Sequence, residues 1–258
     1  MHTPRKRFGQ HFLQDQAVIQ QIIAALSPKR DEHIVEIGPG QGALTLPLLP
    51  YLDQLEVIEL DRDLIVDLAK RGGKALEIHA ADALTFDFAS LKKDERMLRV
   101  LGNLPYNIST PLMFHLLSFA PIISDMLFML QKEVAYRLAA KANDDHYGRL
   151  SVMTQYHCQV DVLFDVPATA FYPPPQVESS IVRLVPHRHY PALAQDPALF
   201  AALVKQAFGQ RRKTLRNSLS KMVTDTIWQR TQIDSHLRPE NLSVKDFVAL
   251  ANIISEIG

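Results

Sequence analysis

The apolar positions of this chain change period twice. Near the start, Val18, Ile19, Ile22, Ile23 and Leu26 recur at helical spacing behind Asp15, a good capping residue, and the pattern stops near Ser27-Pro28. Short runs rich in apolar residues then take over, at 34–37, 55–60, 76–79, 97–101 and 126–130, the first four broken by one or two polar positions. Such runs predict strands buried on both faces, with helices in the stretches between them. Strand alternating with helix predicts an α/β fold built on a doubly wound, Rossmann-like parallel sheet. Helical spacing returns at residues 150–156, strict alternation follows at 157–166, and 178–185 is a strand rich in Val and Ile. Residues 186–197 hold three prolines and read as a linker. A helical region follows, ending in a helix marked by Ser243, Phe247, Leu250, Ala251 and Ile254. The pattern predicts a first domain over residues 1–187 and a small helical C-terminal domain over 188–258.

Polar residues gather where the predicted strands stop. The first strand runs into Gly38-Pro39-Gly40-Gln41-Gly42, and a helix is expected from about Ala43. Glycines let a backbone approach a ligand with no Cβ in the way, so strand, glycine turn and helix together suit a nucleotide-like group. Glu59 lies near the end of the second strand, 21 residues after Gly38, the offset of an acid that holds ribose hydroxyls. Asp82 follows the third strand. The fourth ends in Gly102 and then Asn103-Leu104-Pro105-Tyr106. In an open α/β sheet this edge is where ligands bind. The Asn103 side-chain oxygen and the Leu104 carbonyl can each accept an N–H, and the Tyr106 ring can stack, a set that suits the exocyclic amine of a flat base. Pro105 favours an extended Leu104 and so helps fix that carbonyl. Taken alone, the tetrapeptide reads more simply as a strand-ending turn with Asn103 capping the next helix; four polar signals at four successive strand ends reverse that preference. The loop spacing is G-x-G-x-G rather than G-x-G-x-x-G, and no hydride-handling site follows, which favours S-adenosylmethionine over a dinucleotide.

Composition narrows the picture. Formal net charge is zero over 258 residues, so a nucleic-acid partner has to be met by local patches. Two patches stand out. Arg5, Lys6 and Arg7 precede Phe8 and suit an arm that meets phosphates, although a frayed tail would look similar. Between residues 197 and 224 there are six cations and no acid, most densely in Arg211, Arg212, Lys213 and Arg216, which suits a phosphate-contacting surface. Cys158 is the single cysteine, so no internal disulfide can form and a reduced, cytoplasmic setting is expected. No signal peptide and no membrane-spanning apolar run are evident. Phe171 opens the stiff stretch Tyr172-Pro173-Pro174-Pro175 and reads either as a core residue or as a second aromatic wall opposite Tyr106.

The stretches RKRFGQHFL, EIGPGQGALT, VIELDRDL, AADAL, GNLPYNIST, FYPPPQVESSIVRL and QRRKTLRNSL stay collinear from residue 5 to residue 219. In them the chain resembles the ribosomal RNA adenine N6-dimethyltransferase family, and QRRKTLRNSL points to its bacterial small-subunit branch. The resemblance implies a class I methyltransferase sheet and an enzyme that dimethylates two adjacent adenosines near the 3′ end of 16S rRNA. It implies S-adenosylmethionine as methyl donor with no metal, and an immature 30S particle as partner, met by a monomer away from membranes. By resemblance, His11, Leu13, Gly38, Gly40, Glu59, Asp82 and Asn103 bind the cofactor. Asn103, Leu104, Tyr106 and Phe171 handle the target base, and Arg5, Lys6, Arg7, Arg211, Arg212, Lys213 and Arg216 the RNA. His11 stands where the family often has asparagine; an imidazole can still donate or accept a hydrogen bond. Two rivals share the fold: a large-subunit rRNA methyltransferase that confers antibiotic resistance, and a non-catalytic ribosome-assembly or transcription factor. The QRRKTLRNSL block argues against the first, and the intact glycine loop, Glu59 and Asn103 against the second.

Overall fold

Strand β2 (His33–Ile37) is buried along its whole length, as is β3 (Leu55–Glu59) beside it. Both belong to a computed structural model that describes residues 11–210 and 212–257, so Arg5, Lys6, Arg7 and Arg211 lie outside the described residues. The other strands are β1 (Phe12–Leu13), β4 (Leu76–Ala80), β5 (Leu98–Asn103), β6 (Ile123–Gln131), β7 (Cys158–Val166), β8 (Phe171–Tyr172) and β9 (Ser179–Pro186). Seven of them form one sheet in the order β4-β3-β2-β5-β6-β9-β7, and β1 pairs with β8 separately. The pairs β2–β3, β3–β4, β2–β5 and β5–β6 are parallel, while β9 runs antiparallel to β6. This is the doubly wound α/β sheet that the alternation of apolar runs implies.

The order reverses between β2 and β5. From β2 the chain steps outward to β3 and β4, then returns to place β5 on the other edge of β2. Such a switch point leaves a crevice beyond the carboxyl ends of the two strands. Gly102 makes the close pairing there possible. A Cβ at that position would lie 2.5 Å from the Ile37 carbonyl oxygen, so any side chain would push β5 away from the end of β2.

Helix Gln16–Leu26 forms as its period predicts. The Asp15 carboxylate accepts from the Ala17 and Val18 amides, Val18, Ile19, Ile22, Ile23 and Leu26 are buried, and Ser27 ends the helix in the left-handed region. The helix expected from Ala43 is short. It covers Thr45–Leu48, then tightens into a 3-10 turn over Leu49–Tyr51, because Pro50 has no N–H with which to continue an α-helical ladder.

The contacts divide the chain into two compact units. One holds the described residues up to Ala135 together with Val160–Pro186; the other holds Tyr136–Gln159 and the residues from His187 onward. The second unit therefore includes a stretch that lies well before the proline-rich linker. In it, the Tyr156 ring sits 4.5 Å from Phe200, and the Asn143 amide donates to the Glu240 carbonyl at 2.9 Å. Phe200, Leu203, Val204, Phe247 and Leu250 form its buried centre. Among the described residues no helix is long and apolar enough to cross a membrane.

Candidate cofactor and base site

The glycine loop leaves β2 through three residues that need the left-handed region. Gly38, Gly40 and Gly42 have φ of +67°, +56° and +81°. The loop is also tightly covered: a Cβ on Gly40 would come within 3.3 Å of the Phe12 ring. Glu59, at the end of β3, ties the loop to its neighbour strand. Its Oε1 accepts the Leu60 and Asp61 amides, each at 2.8 Å, while among the described residues Oε2 accepts just a long 3.3 Å bond from Gly40. Oε2 thus keeps capacity for further donors, as a pair of ribose hydroxyls requires. Burial pushes this carboxyl above its ordinary range, the three backbone amides pull it back in part, and nearby Asp61 adds to the rise. Asp82 is exposed beyond β4, where its Oδ1 accepts the Leu84 amide at 2.9 Å and shapes the turn.

At the end of β5 the Asn103 Nδ2 donates to the His11 carbonyl at 3.1 Å. That bond orients the amide and leaves Oδ1 without a partner among the described residues. The Leu104 amide donates to the Met129 carbonyl at 3.2 Å, and its own carbonyl accepts no hydrogen bond among the described residues. Asn103 does not cap the helix that follows; that helix, Ser109–Leu117, starts after Ile108 with no side-chain cap. Tyr106 is anchored by a 2.9 Å hydrogen bond between its hydroxyl and Ser179 Oγ. Burial raises its phenol, partly offset by that bond, so the ring stays neutral. The His11 ring lies over Tyr106, with centroids 5.8 Å apart and planes 26° from parallel. Its Nδ1 faces the Pro173 carbonyl at 2.8 Å; a carbonyl only accepts, so Nδ1 carries a proton.

One cavity gathers His11, Leu13, Gly38, Gly40, Glu59, Asp82, Asn103, Leu104 and Tyr106. The structure does not bring Phe171 to it. Phe171 is 4% exposed and packs in the core with Leu13, Ile19 and Ile23, because its cross-strand partner in the β1–β8 pair is Leu13, which faces that core. The aromatic group against Tyr106 is His11 instead. Arg212, Lys213 and Arg216 are exposed in the second unit, and Arg216 is tied to Asp225 at 2.6 Å, an acid that stands just past the acid-free window.

Sequence reasoning missed two groups. Glu36 lines the cavity, and its carboxyl is pushed up to about 7 by burial; a 2.6 Å hydrogen bond from the Thr45 hydroxyl opposes the rise, and the charge of Glu59 adds to it. A carboxylate inside the apolar run Ile34-Val35-Glu36-Ile37 was the available signal. Phe12, which covers the glycine loop, carried no signal beyond its place in the arm.

A glycine cradle closed by an aromatic ring, an acid with spare acceptor capacity beside it and an amine-accepting edge one strand further on fit S-adenosylmethionine in shape and donor set. Fold and site together define a class I methyltransferase. The particular family follows from comparison with known proteins: the sequence pattern of the ribosomal RNA adenine dimethylase family matches residues 1–256, and the chain belongs to that family. It is 56% identical over 261 residues to ribosomal RNA small subunit methyltransferase A of Chromohalobacter salexigens, covering 99% of this chain and 93% of that one. Among solved structures, it is similar to a dimethyladenosine transferase from Plasmodium falciparum, with a TM-score of 0.76 and 27% identity over 93% of this chain and 96% of that one. The 23S rRNA methyltransferase ErmE shares the fold at a TM-score of 0.69 and 21% identity, over 95% of this chain and 99% of that one.

Proposed function

We propose that this protein transfers methyl groups from S-adenosylmethionine to N6 of two adjacent adenosines in a hairpin near the 3′ end of 16S rRNA, giving N6,N6-dimethyladenosines as the small subunit is assembled. The observation that carries the reading is the pair of acceptors without a partner among the described residues, Asn103 Oδ1 and the Leu104 carbonyl, at the same cavity as the glycine loop, Glu59 and Asp82. Full-length similarity to small-subunit methyltransferases supports the choice of RNA.

S-adenosylmethionine supplies an electrophilic methyl group on a positively charged sulfur. The protein has to present a weak nucleophile to it, because the N6 lone pair is delocalised into the adenine ring. Asn103 and Leu104 accept the N6 hydrogens, which favours a more tetrahedral nitrogen with its lone pair turned toward the methyl group. Tyr106 stacks on the extruded base and stabilises the positive charge that builds on it. Positioning accounts for much of the remaining acceleration. The proton released from N6 passes to solvent, so no side chain has to titrate and no metal is required. Glu59 holds the ribose hydroxyls of the donor and Asp82 its adenine amine. Arg5, Lys6 and Arg7 of the arm, with Arg211, Arg212, Lys213 and Arg216 of the helical domain, meet RNA phosphates. The substrate is an immature 30S particle in the cytoplasm, met by a monomer without membrane attachment.

The test is methyl transfer from labelled S-adenosylmethionine to immature small subunits, with mature subunits, free small-subunit rRNA and free large-subunit rRNA alongside. Mass spectrometry of the digested RNA identifies the product. Dimethyladenosine on the immature small subunit is expected. Product on large-subunit RNA alone moves the protein to another rRNA, and no product from a protein that binds the donor makes it an assembly factor.

A further inference from the structure

The short β1–β8 pair has two faces with different fates. Leu13 and Phe171 are partners in register and both are buried in the core, Leu13 also bordering the cavity. Phe12 and Tyr172 are the other pair. Directly opposed residues of an antiparallel pair project to the same face. Phe12 marks where that face looks, because its ring lies against Gly40 of the glycine loop. Phe12 is 7% exposed and Tyr172 is 60% exposed, more than any other Phe, Tyr or Trp among the described residues. Tyr172 therefore projects to the same side of the ladder as Phe12, outside the cavity lining and open to solvent. It is also held firmly: the next residue, Pro173, receives the hydrogen bond from His11, the ring that covers Tyr106.

A base that enters the cavity leaves its neighbour in the strand without a stacking partner on one side. We propose that Tyr172 is a substrate-positioning residue, a platform on which the nucleotide next to the target adenosine stacks while the target occupies the site. The inference rests on the rRNA reading above. A stacking ring can accept either neighbour of the pair, so one platform serves both of two adjacent targets in turn. It contributes to capture of the RNA and not to the transfer step, since it touches neither the amine nor the methyl donor.

Tyr172→Ala and Tyr172→Phe are compared with the wild type on immature small subunits. Loss of one stacked base is expected to raise the KM of Tyr172→Ala for the particle roughly tenfold or more. Its kcat and its affinity for S-adenosylmethionine, measured by calorimetry, stay at wild-type values. Tyr172→Phe keeps the wild-type KM. In particles carrying 5-iodouridine at either side of the target pair, irradiation links the RNA to the Tyr172 peptide. An unchanged KM in Tyr172→Ala overturns the proposal, as does a Tyr172→Phe as impaired as the alanine variant, which would point to the hydroxyl. Parallel loss of cofactor affinity overturns it too, because the residue would then merely brace the arm. A wild type that methylates no rRNA is a different failure: it removes the rRNA reading and this inference with it.

Discussion

Glu56 and Glu59 lie on the same strand, at 2% and 8% exposure, and their carboxyls are pushed in opposite directions. Burial raises both. At Glu56, hydrogen bonds from His33 at 2.8 Å and His79 at 2.6 Å, with Lys93 at 3.8 Å, outweigh it, and the carboxyl ends below its ordinary range. At Glu59 the partners among the described residues are backbone amides, and the carboxyl ends above it. The first group is closed, its charge balanced by side chains reaching in from β2, β4 and the segment after it. The second is left undersatisfied at the mouth of a cavity. An acid whose partners are all internal holds strands together; one with spare acceptor capacity at a strand end is equipped to hold a ligand.

That contrast can be broken by substitution. The largest effect is expected from Glu56→Ala, which strips two imidazoles of their buried partner and costs about 3 kcal/mol in chemical denaturation. Affinity of the folded variant for S-adenosylmethionine should not move; a large drop would mean that the two ends of β3 are not independent. Next is Asn103→Ala. Removing one acceptor from the reacting amine should lower kcat on the order of a hundredfold, by analogy with the loss of a single preorganised hydrogen bond elsewhere. Donor affinity should stay within a few-fold, and equal turnover would remove the acceptor role. Glu59→Gln should weaken donor binding by about tenfold, one hydrogen-bonded charge's worth, while the melting temperature holds or rises because a desolvated charge is gone.

The smallest effect concerns pH. The folded-state value of Glu36, about 7, lies above its unfolded value near 4.5. The folded protein therefore binds this proton more tightly, and the contribution is present at low pH and lost as pH rises through 7. Between pH 6 and pH 8 the wild type without ligand should lose about 1 kcal/mol from this group, and Glu36→Gln should lack that part of the slope. Denaturation curves across the same range decide it, and identical slopes would show that Glu36 is ionised throughout.

How much of this was legible beforehand differs from element to element. The sheet was, because buried parallel strands demand short, predominantly apolar runs, and residues 34–37, 55–60, 76–79 and 97–101 supply them between helical stretches. The cavity's polar edge was legible for a related reason: Gly38, Glu59, Asp82 and Asn103 each stand at or just after the end of such a run, and a parallel sheet brings all its carboxyl ends to one side. Three things needed the folded chain. Phe171 turned inward, since a proline-rich loop does not reveal which face of a two-residue strand its side chains take, and pairing with Leu13 set that face. Residues 136–159 joined the helical unit, since a linker is visible in composition but a packing partner 44 residues away, as Phe200 is from Tyr156, is not. Arg216 found Asp225 beyond the acid-free window.

The sequence by itself determined the order of strands and helices, the conformational freedom of the glycine loop and the chemistry of each strand end, because period, glycine content and residue type are local properties. The tertiary structure alone decided that Glu56 is closed and Glu59 open, that His11 and not Phe171 lies on Tyr106, and that Tyr172 pairs with Phe12. Those outcomes depend on register and on what stands across a gap, and neither is written in the spacing of residues along one strand.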